Sequence, residues 1–227
     1  MYLPIPRVGG AHPKVGLNAY SFLDLLTANA NDSRTGIDLF AVLDFCAAHD
    51  IDGADLTGYF FPGYPAVPDD RLLSRLKRHA QHRGVHIIGT GVRNDFVAAD
   101  KDVRAAGVRV LKDWIEVAAK LGASTVRAFA DSQPPFKSWQ EASGGASREE
   151  IETWMADALR ECADHGERFG VLVAVQNHGD FIKTGEQHLS LLRRVDHDWC
   201  AAMVDTGMYH TPDPYLDIAQ VAPYAVN

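Results

Sequence analysis

Between Val173 and Phe181 the chain reads VAVQNHGDF, an apolar run that opens abruptly into Gln176, Asn177, His178 and Asp180. A second apolar run, AAMVDTG, leads into Asp205. The Asp205 carboxylate suits a hard cation or a hydroxyl, and the Gln176 amide oxygen can ligate Mg²⁺ or Mn²⁺ without adding charge. An amide does not exchange a proton as a carboxylate does, so Gln176 ligates or orients but is not a base. His178 titrates near neutral pH and can ligate metal, bind a sugar hydroxyl or shuttle a proton. The competing reading of Asp205-Thr206-Gly207 is a turn whose Asp accepts backbone N–H groups.

Such residues act only when rigid elements aim them at one place. Short strand-like runs alternate with helical patterns throughout: VGLNAYS then GIDLFAVLDFCAAHD, IDGADLTG then RLLSRLKRHAQHRG, VHIIGTGV then DVRAAGVRVLKDWIEVAAKLG, STVRAFAD then REEIETWMADALRECADHGERFG, VLVAVQNHG then EQHLSLLRRV, and CAAMVDTG then PDPYLDIAQVA. Gly84, Gly122 and Gly170 stand where helices hand over to strands, the position that tolerates positive φ. Strict β-α alternation predicts a parallel sheet, and the missing GxGxxG after the first strand favours a (β/α)8 TIM barrel over a dinucleotide-binding sheet. Six strands and the start of a seventh, AVN, are counted, whereas a full barrel takes about 250 residues. The expectation is a barrel truncated in its seventh strand, with exposed apolar edges that favour a homo-oligomer.

In parallel α/β folds the carboxyl ends of the strands form the functional face. Those ends carry Asn18 and Tyr20, Asp55, then Arg93, Asn94 and Asp95, and finally Arg127 and Asp131. Arg127 lies inside the apolar run TVRAFAD, so its desolvated charge needs a partner or an anionic ligand. Pairing with Asp55 or another carboxylate ranks ahead of phosphate binding. Lys183 and Asp180 open the next loop and could bind hydroxyls or phosphate, with solvated loop charges as the alternative. His210 lies on the loop after Asp205, whereas His49, His79, His82, His165, His188 and His197 fall on helices or helix ends and receive no role. Two long loops, 59–70 and 132–147, offer Tyr59, Phe60, Phe61, Phe136 and Trp139 as apolar walls, or as packing for the barrel rim.

The 227 residues, 46% hydrophobic, fit one domain spanning 1–227. A net charge of −8 without a basic run argues against nucleic acid as the partner. Cys46, Cys162 and Cys200 are too widely spaced for a zinc motif and read as buried reduced thiols. The N-terminus, with Pro4, Pro6, Gly9, Gly10 and Pro13, lacks the apolar core of a signal peptide, and no run reaches membrane-spanning length. A cytoplasmic protein with no membrane contact is expected.

Over Val15–Asn227 the chain resembles the xylose isomerase-like TIM-barrel superfamily, the sugar phosphate isomerases/epimerases that include the endonuclease IV fold. The resemblance rests on GLNAYSF, on VAVQNHGDF where relatives often read Glu-Asn-His, and on MVDTG followed by DPY and APYAVN. It implies a divalent metal (Mn, Mg, Co or Zn) held by a Glu, an Asp, a His and a further Glu from successive late strands. Asp205 matches the Asp, and Gln176 stands where the first Glu would be. The His and the last Glu would lie beyond Asn227. In the epimerase branch the metal-bound carboxylates also move the proton through an enediolate. Gln176 cannot do so, which leaves His178 as the nearest candidate.

The expected function is a sugar or sugar phosphate isomerase/epimerase acting by metal-assisted proton transfer next to a carbonyl. Gln176 and Asp205 would serve the metal, His178 the proton, and Asn18, Asp55, Asn94, Arg127, Lys183 and His210 a sugar or polyol. The rivals are a carbohydrate-binding barrel that has lost its metal and a metal-dependent hydrolase or lyase on the same scaffold.

Overall fold

The apolar runs pair in the order in which they occur. In the computed structural model, which describes residues 2–7 and 14–226, one parallel sheet contains β1 (Gly16–Asn18), β2 (Gly53–Asp55), β3 (His86–Gly91), β4 (Thr125–Phe129), β5 (Leu172–Gln176) and β6 (Cys200–Met203), in that order. Parallel neighbours need a crossover, and helices supply each one. They are α1 (Leu23–Asn31), α2 (Leu39–Ala48), α3 (Asp70–Arg83), α4 (Lys101–Leu121), α5 (Trp139–Ala142), α6 (Arg148–Phe169), α7 (Gly185–Val195) and, after β6, α8 (Pro214–Val221). Among the described residues this is an α/β fold with six of the eight strands of a (β/α)8 barrel.

Local chemistry explains the boundaries. Asp38, Asp69, Asp100, Ser147 and Thr184 each accept a backbone N–H at a helix start, and Ser147 forms a capping box with Glu150. Gly84, Gly122 and Gly170 end α3, α4 and α6 at φ of 69°, 80° and 69°, the left-handed caps their positions foretold. Outward strand residues such as Val126, Ala128, Val173 and Val175 pack with Leu111, Trp114, Ile115, Leu159 and Leu192 between sheet and helices. Cys46, Cys162 and Cys200 are buried free thiols in that structure.

Two details depart from the sequence reading, and a third fits the expected start of a seventh strand. β1 stops at Asn18 because the Asn18 side chain accepts from Tyr20 N and turns the chain into a short 3₁₀ segment, Ala19–Phe22. Helix α1 was not foreseen, since only Leu26 of its residues is buried and its pattern is weak. After α8, Ala225 bridges to Ala202 in parallel and Val226 N donates to Ala202 O. Asn227, which closes the expected AVN strand, lies outside the described residues, as do Gly9, Gly10 and Pro13 of the N-terminal segment. Among the described residues no helix is long and apolar enough to cross a membrane.

One buried polar contact secures the carboxyl end of the sheet. His188 on α7 is fully buried, with Nε2 2.9 Å from Val175 O and Nδ1 2.9 Å from the Tyr209 hydroxyl. Nε2–H donates to the carbonyl and Nδ1 accepts from the hydroxyl, a pairing that uses the neutral ring. Burial lowers the His188 pKa from 6.5 to about 4. The unfolded chain therefore binds a proton at a higher pH than the folded one, and stability is lost as pH falls from the unfolded value towards the folded one. The loss through this residue should approach about 3 kcal/mol at pH 4. Urea unfolding at pH 7, 6, 5 and 4.5 should show a steeper acid loss in the native protein than in His188→Gln, and parallel losses would refute the assignment.

Candidate functional site

The ends of β4, β5 and β6 lie level, since Phe129 pairs with Gln176 and Gln176 with Met203. They open onto a mouth of about 400 Å³ lined by Arg127 and Phe129 from β4, Gln176 and His178 at β5, Asp205 after β6, and Asn18, Tyr59 and Arg93 from the earlier strand ends. A larger cavity of about 1070 Å³ continues down the inner face of the sheet and shares Asn18, Arg127, Gln176 and Asp205 while adding Asp55. Five of the nine expected site residues thus face the mouth, and Asp55 lies just below it.

Asp55 and Arg127 meet inside the sheet. Arg127 Nη1 lies 3.5 Å from Asp55 Oδ2, and each side chain is 6% exposed. The two residues belong to β2 and β4, so they reach across β3. A register shift at Ala54/Asp55 sets Gly89 beside Asp55, and Gly91 pairs with Arg127. A Cβ on Gly91 would sit 2.8 Å from Arg127 Nε, and one on Gly89 would sit 3.2 Å from Asp55 Oδ2. The absence of side chains at these two positions is what lets the pair form. Thr57 Oγ1 stands 3.2 Å from Asp55 Oδ1 and 3.0 Å from Asn18 Oδ1, which ties the first strand to the pair.

Gln176 Nε2 donates to Asp205 Oδ2 at 2.9 Å. Between them in sequence pattern, Asn177 is fully buried and grips the Asp205 main chain: its Nδ2 donates to Asp205 O at 2.9 Å and its Oδ1 accepts from Asp205 N at 2.7 Å. Gly207 N donates to Asp205 Oδ1 at 3.2 Å, so Asp205 is a turn residue as well as a mouth residue. Three buried side-chain polar atoms among the described residues lack a hydrogen-bond partner: Tyr59 Oη, Arg127 Nε and Gln176 Oε1. All three belong to mouth residues. Leaving such an atom unpaired costs about 1–3 kcal/mol.

His178 stands on the opposite wall, 5.4 Å from the Phe129 ring in an edge contact. Its Nδ1 lies 3.4 Å from Asp131 Oδ2. Gln133 Nε2 donates to Asp131 Oδ1 at 2.7 Å, and Arg93 Nη1 donates to Gln133 Oε1 at 3.2 Å, extending the chain along the rim. Gly179 permits this approach, because its φ is +88° and a Cβ there would lie 2.3 Å from the Asp131 Cβ. The Asp131 contact raises the His178 pKa above 6.5, against the effect of burial. Burial raises the Asp131 pKa, and His178 opposes that shift. With Nδ1–H facing the carboxylate, Nε2 is the basic atom of the ring.

The other expected residues have different surroundings. Asn94 is buried with its amide committed to Phe129, donating to its carbonyl at 2.9 Å and accepting from its N–H at 2.8 Å. Lys183 and His210 are exposed and do not line the mouth; Lys183 borders a separate pocket with Trp139 and Arg148. Asp180 accepts from Ser132 and Trp139 and ties down the second long loop. Of the five loop aromatics only Tyr59 faces the mouth; Phe60 and Phe61 are buried, with Phe61 against Trp114. Gln133 was missed and carries no sequence signal. Phe129 was legible, since it follows Arg127 by two and shares its face.

Among the described residues no group of three or more His, Cys, Asp or Glu side chains converges as a metal site. Gln176 and Asp205 supply one amide and one carboxylate, and both carboxylate oxygens already accept hydrogen bonds, from the Gln176 amide and from Gly207 N. These donors do not fit a divalent metal, which takes several oxygen ligands. The sequence model of the xylose isomerase-like TIM-barrel family matches residues 43–224. The chain belongs to this family. Among solved structures it is similar to D-psicose 3-epimerase with D-tagatose from Clostridium cellulolyticum H10, at 17% identity over 94% of this chain and 71% of that one, TM-score 0.76. It is similar to the IOLI protein with a zinc atom, at 19% identity over 87% and 64%, TM-score 0.68. A third is the probable 3-DHS dehydratase AsbF from Bacillus anthracis, at 15% identity over 94% and 71%, TM-score 0.67. At these identities the likeness is one of fold. No curated protein matches the sequence.

Within this xylose isomerase-like barrel, Gln176→Glu should set two carboxylates where a hydrogen bond now stands, and only a proton or a cation relieves that repulsion. The variant should melt below the native protein at pH 7 and regain stability with Mn²⁺, by about 2.7 kcal/mol at a hundredfold excess over its Kd. The native protein should not respond. An equal Mn²⁺ response in both would show that the Gln176 hydrogen bond does not stand in a cation's place.

Proposed function

We propose that the mouth binds a small sugar-like polyol and moves a proton at the carbon next to its carbonyl, the isomerase/epimerase class of reaction. The observation that carries this reading is the His178–Asp131 pair opening on a cavity that also holds two guanidiniums. Asp131 holds the ring so that Nε2 accepts the proton, and the raised pKa of His178 strengthens it as a base. Arg93 and Arg127 supply a preorganised positive field for the oxygen that gains charge as the proton leaves. Returning the proton to the same or a neighbouring carbon completes the exchange.

A divalent metal, as in the zinc-bound relative, would polarise the carbonyl, but the donors present do not fit one and no step here depends on it. The Gln176–Asp205 hydrogen bond favours a second reading, a carbohydrate-binding barrel without turnover.

One experiment separates the two. The protein is incubated in D₂O with a panel of aldoses and ketoses, and solvent deuterium is sought at the carbon beside the carbonyl. Incorporation that falls at least 100-fold in His178→Gln supports proton transfer; binding without incorporation leaves the second reading. Independently, NMR titration of the His178 ring should give a pKa above 6.5 that falls in Asp131→Asn. An unchanged value in that variant would remove Asp131 from its orienting role.

A further inference from the structure

The polar atoms left unpaired in the mouth specify a ligand more narrowly than a neutral sugar. Arg127 Nε can only donate, Gln176 Oε1 can only accept, and the Tyr59 hydroxyl can do either. The Arg127 side chain is 6% exposed, and its one carboxylate partner, Asp55, is 3.5 Å away. The guanidinium also meets the Tyr59 hydroxyl and lies 5.4 Å over the Phe129 ring, while its Nε has no hydrogen-bond acceptor. The negative groups nearby are already engaged: Asp205 by Gln176 and Gly207, and Asp55 by Thr57 and Arg127. Arg93, a second guanidinium of the mouth, lies 5.1 Å over the Tyr59 ring. The Tyr59 hydroxyl is pushed up to about 12 by burial despite both guanidiniums, so it remains a neutral donor.

We propose that the ligand is a small hydroxy acid, its carboxylate docked on the Arg127 guanidinium and the Tyr59 hydroxyl while one of its hydroxyls donates to Gln176 Oε1. A neutral polyol satisfies Gln176 but offers Arg127 Nε only a hydroxyl, a weaker acceptor for a guanidinium than a carboxylate. A phosphate brings a second negative charge towards Asp205, while Arg93 is held by Gln133 and the Tyr59 ring. The carboxylate matches one guanidinium in charge and in planar geometry. This inference takes the location of the site from the proposed function and does not depend on its reaction.

The test is calorimetric titration of the 227-residue protein with matched probes: glycerate and glycerol, ribonate and ribitol, gluconate and sorbitol, with sorbitol 6-phosphate as the phosphate arm. At least one acid should bind ten times tighter than its polyol and tighter than the phosphate. The preference should shrink at least fivefold in Tyr59→Phe, which removes one hydroxyl. It should vanish in Arg127→Met combined with Asp55→Asn, a double variant that leaves no buried charge unpaired and whose folding is checked by thermal melting. No preference for any acid, a tighter phosphate, or a preference untouched by Tyr59→Phe overturns the assignment. Acid binding without deuterium exchange would overturn the proton-transfer reading alone, whereas exchange on neutral ketoses with no acid preference would overturn this one alone.

Discussion

The inner face of the sheet is organised around one desolvated charge, the Arg127 guanidinium on β4. A guanidinium in that position must be met by a carboxylate, and removing one member of such a pair typically costs about 3–5 kcal/mol because the other is left buried and uncompensated. The partner, Asp55, is two strands away, so the strand between them has to lie bare. Gly89 and Gly91 provide that, and the register shift in β2–β3 brings both level with the pair. The sheet has given up side-chain packing at two inward positions to keep an ion pair there. Hydrophobic side chains of similar volume would often be as stable, so stability alone does not account for the pair.

The same economy governs β5 and β6. A carboxylate at position 176 would face Asp205 within hydrogen-bond distance and would need a proton or a cation between them. The amide instead donates one hydrogen bond and leaves its oxygen buried without a partner. Glutamine and glutamate are nearly isosteric, so the same backbone could present either group at this position. Asn177 keeps that geometry fixed by holding the Asp205 main chain on both sides, independently of what residue 176 does. Scaffold and chemistry are thus carried by adjacent residues of one strand.

Much of this was legible in the sequence, and the limits have physical causes. The six strands, the helix caps and the mouth positions of Gln176, His178 and Asp205 follow from periodicity and from Gly and Asp at boundaries, which are local effects. The burial of Arg127 and its pairing with Asp55 were also readable, because a charge inside TVRAFAD needs a partner. Asn94 was misjudged in its surroundings: its two-way bond to Phe129 depends on the height of β3 relative to β4. The meaning of GTG in β3 was hidden for the same reason, since glycines there look like loose turn residues until register places them against Asp55 and Arg127. Loop residues were hardest: Lys183 N donates to Gln187 Oε1 on α7 and His210 N donates to Lys183 O, pairings that hold both residues away from the mouth.

His188 illustrates how far a residue without apparent chemistry can bear on the site. Its position within an amphipathic helix suggested only a helix-face histidine. Buried, it joins the carbonyl of Val175, the residue before Gln176, to the hydroxyl of Tyr209, the residue after Met208. Met208 and Gln176 both line the mouth. One neutral imidazole therefore fixes the end of β5 relative to the loop after β6, the two segments that carry His178 and Asp205. Charging the ring leaves Nε2–H donating to Val175 O and turns Nδ1 into a donor, so the Tyr209 hydroxyl has to reverse its role and accept. The cost of charging the ring therefore falls on the desolvated imidazolium and on the Tyr209 side of the contact, and the hydrogen bond to the strand is kept.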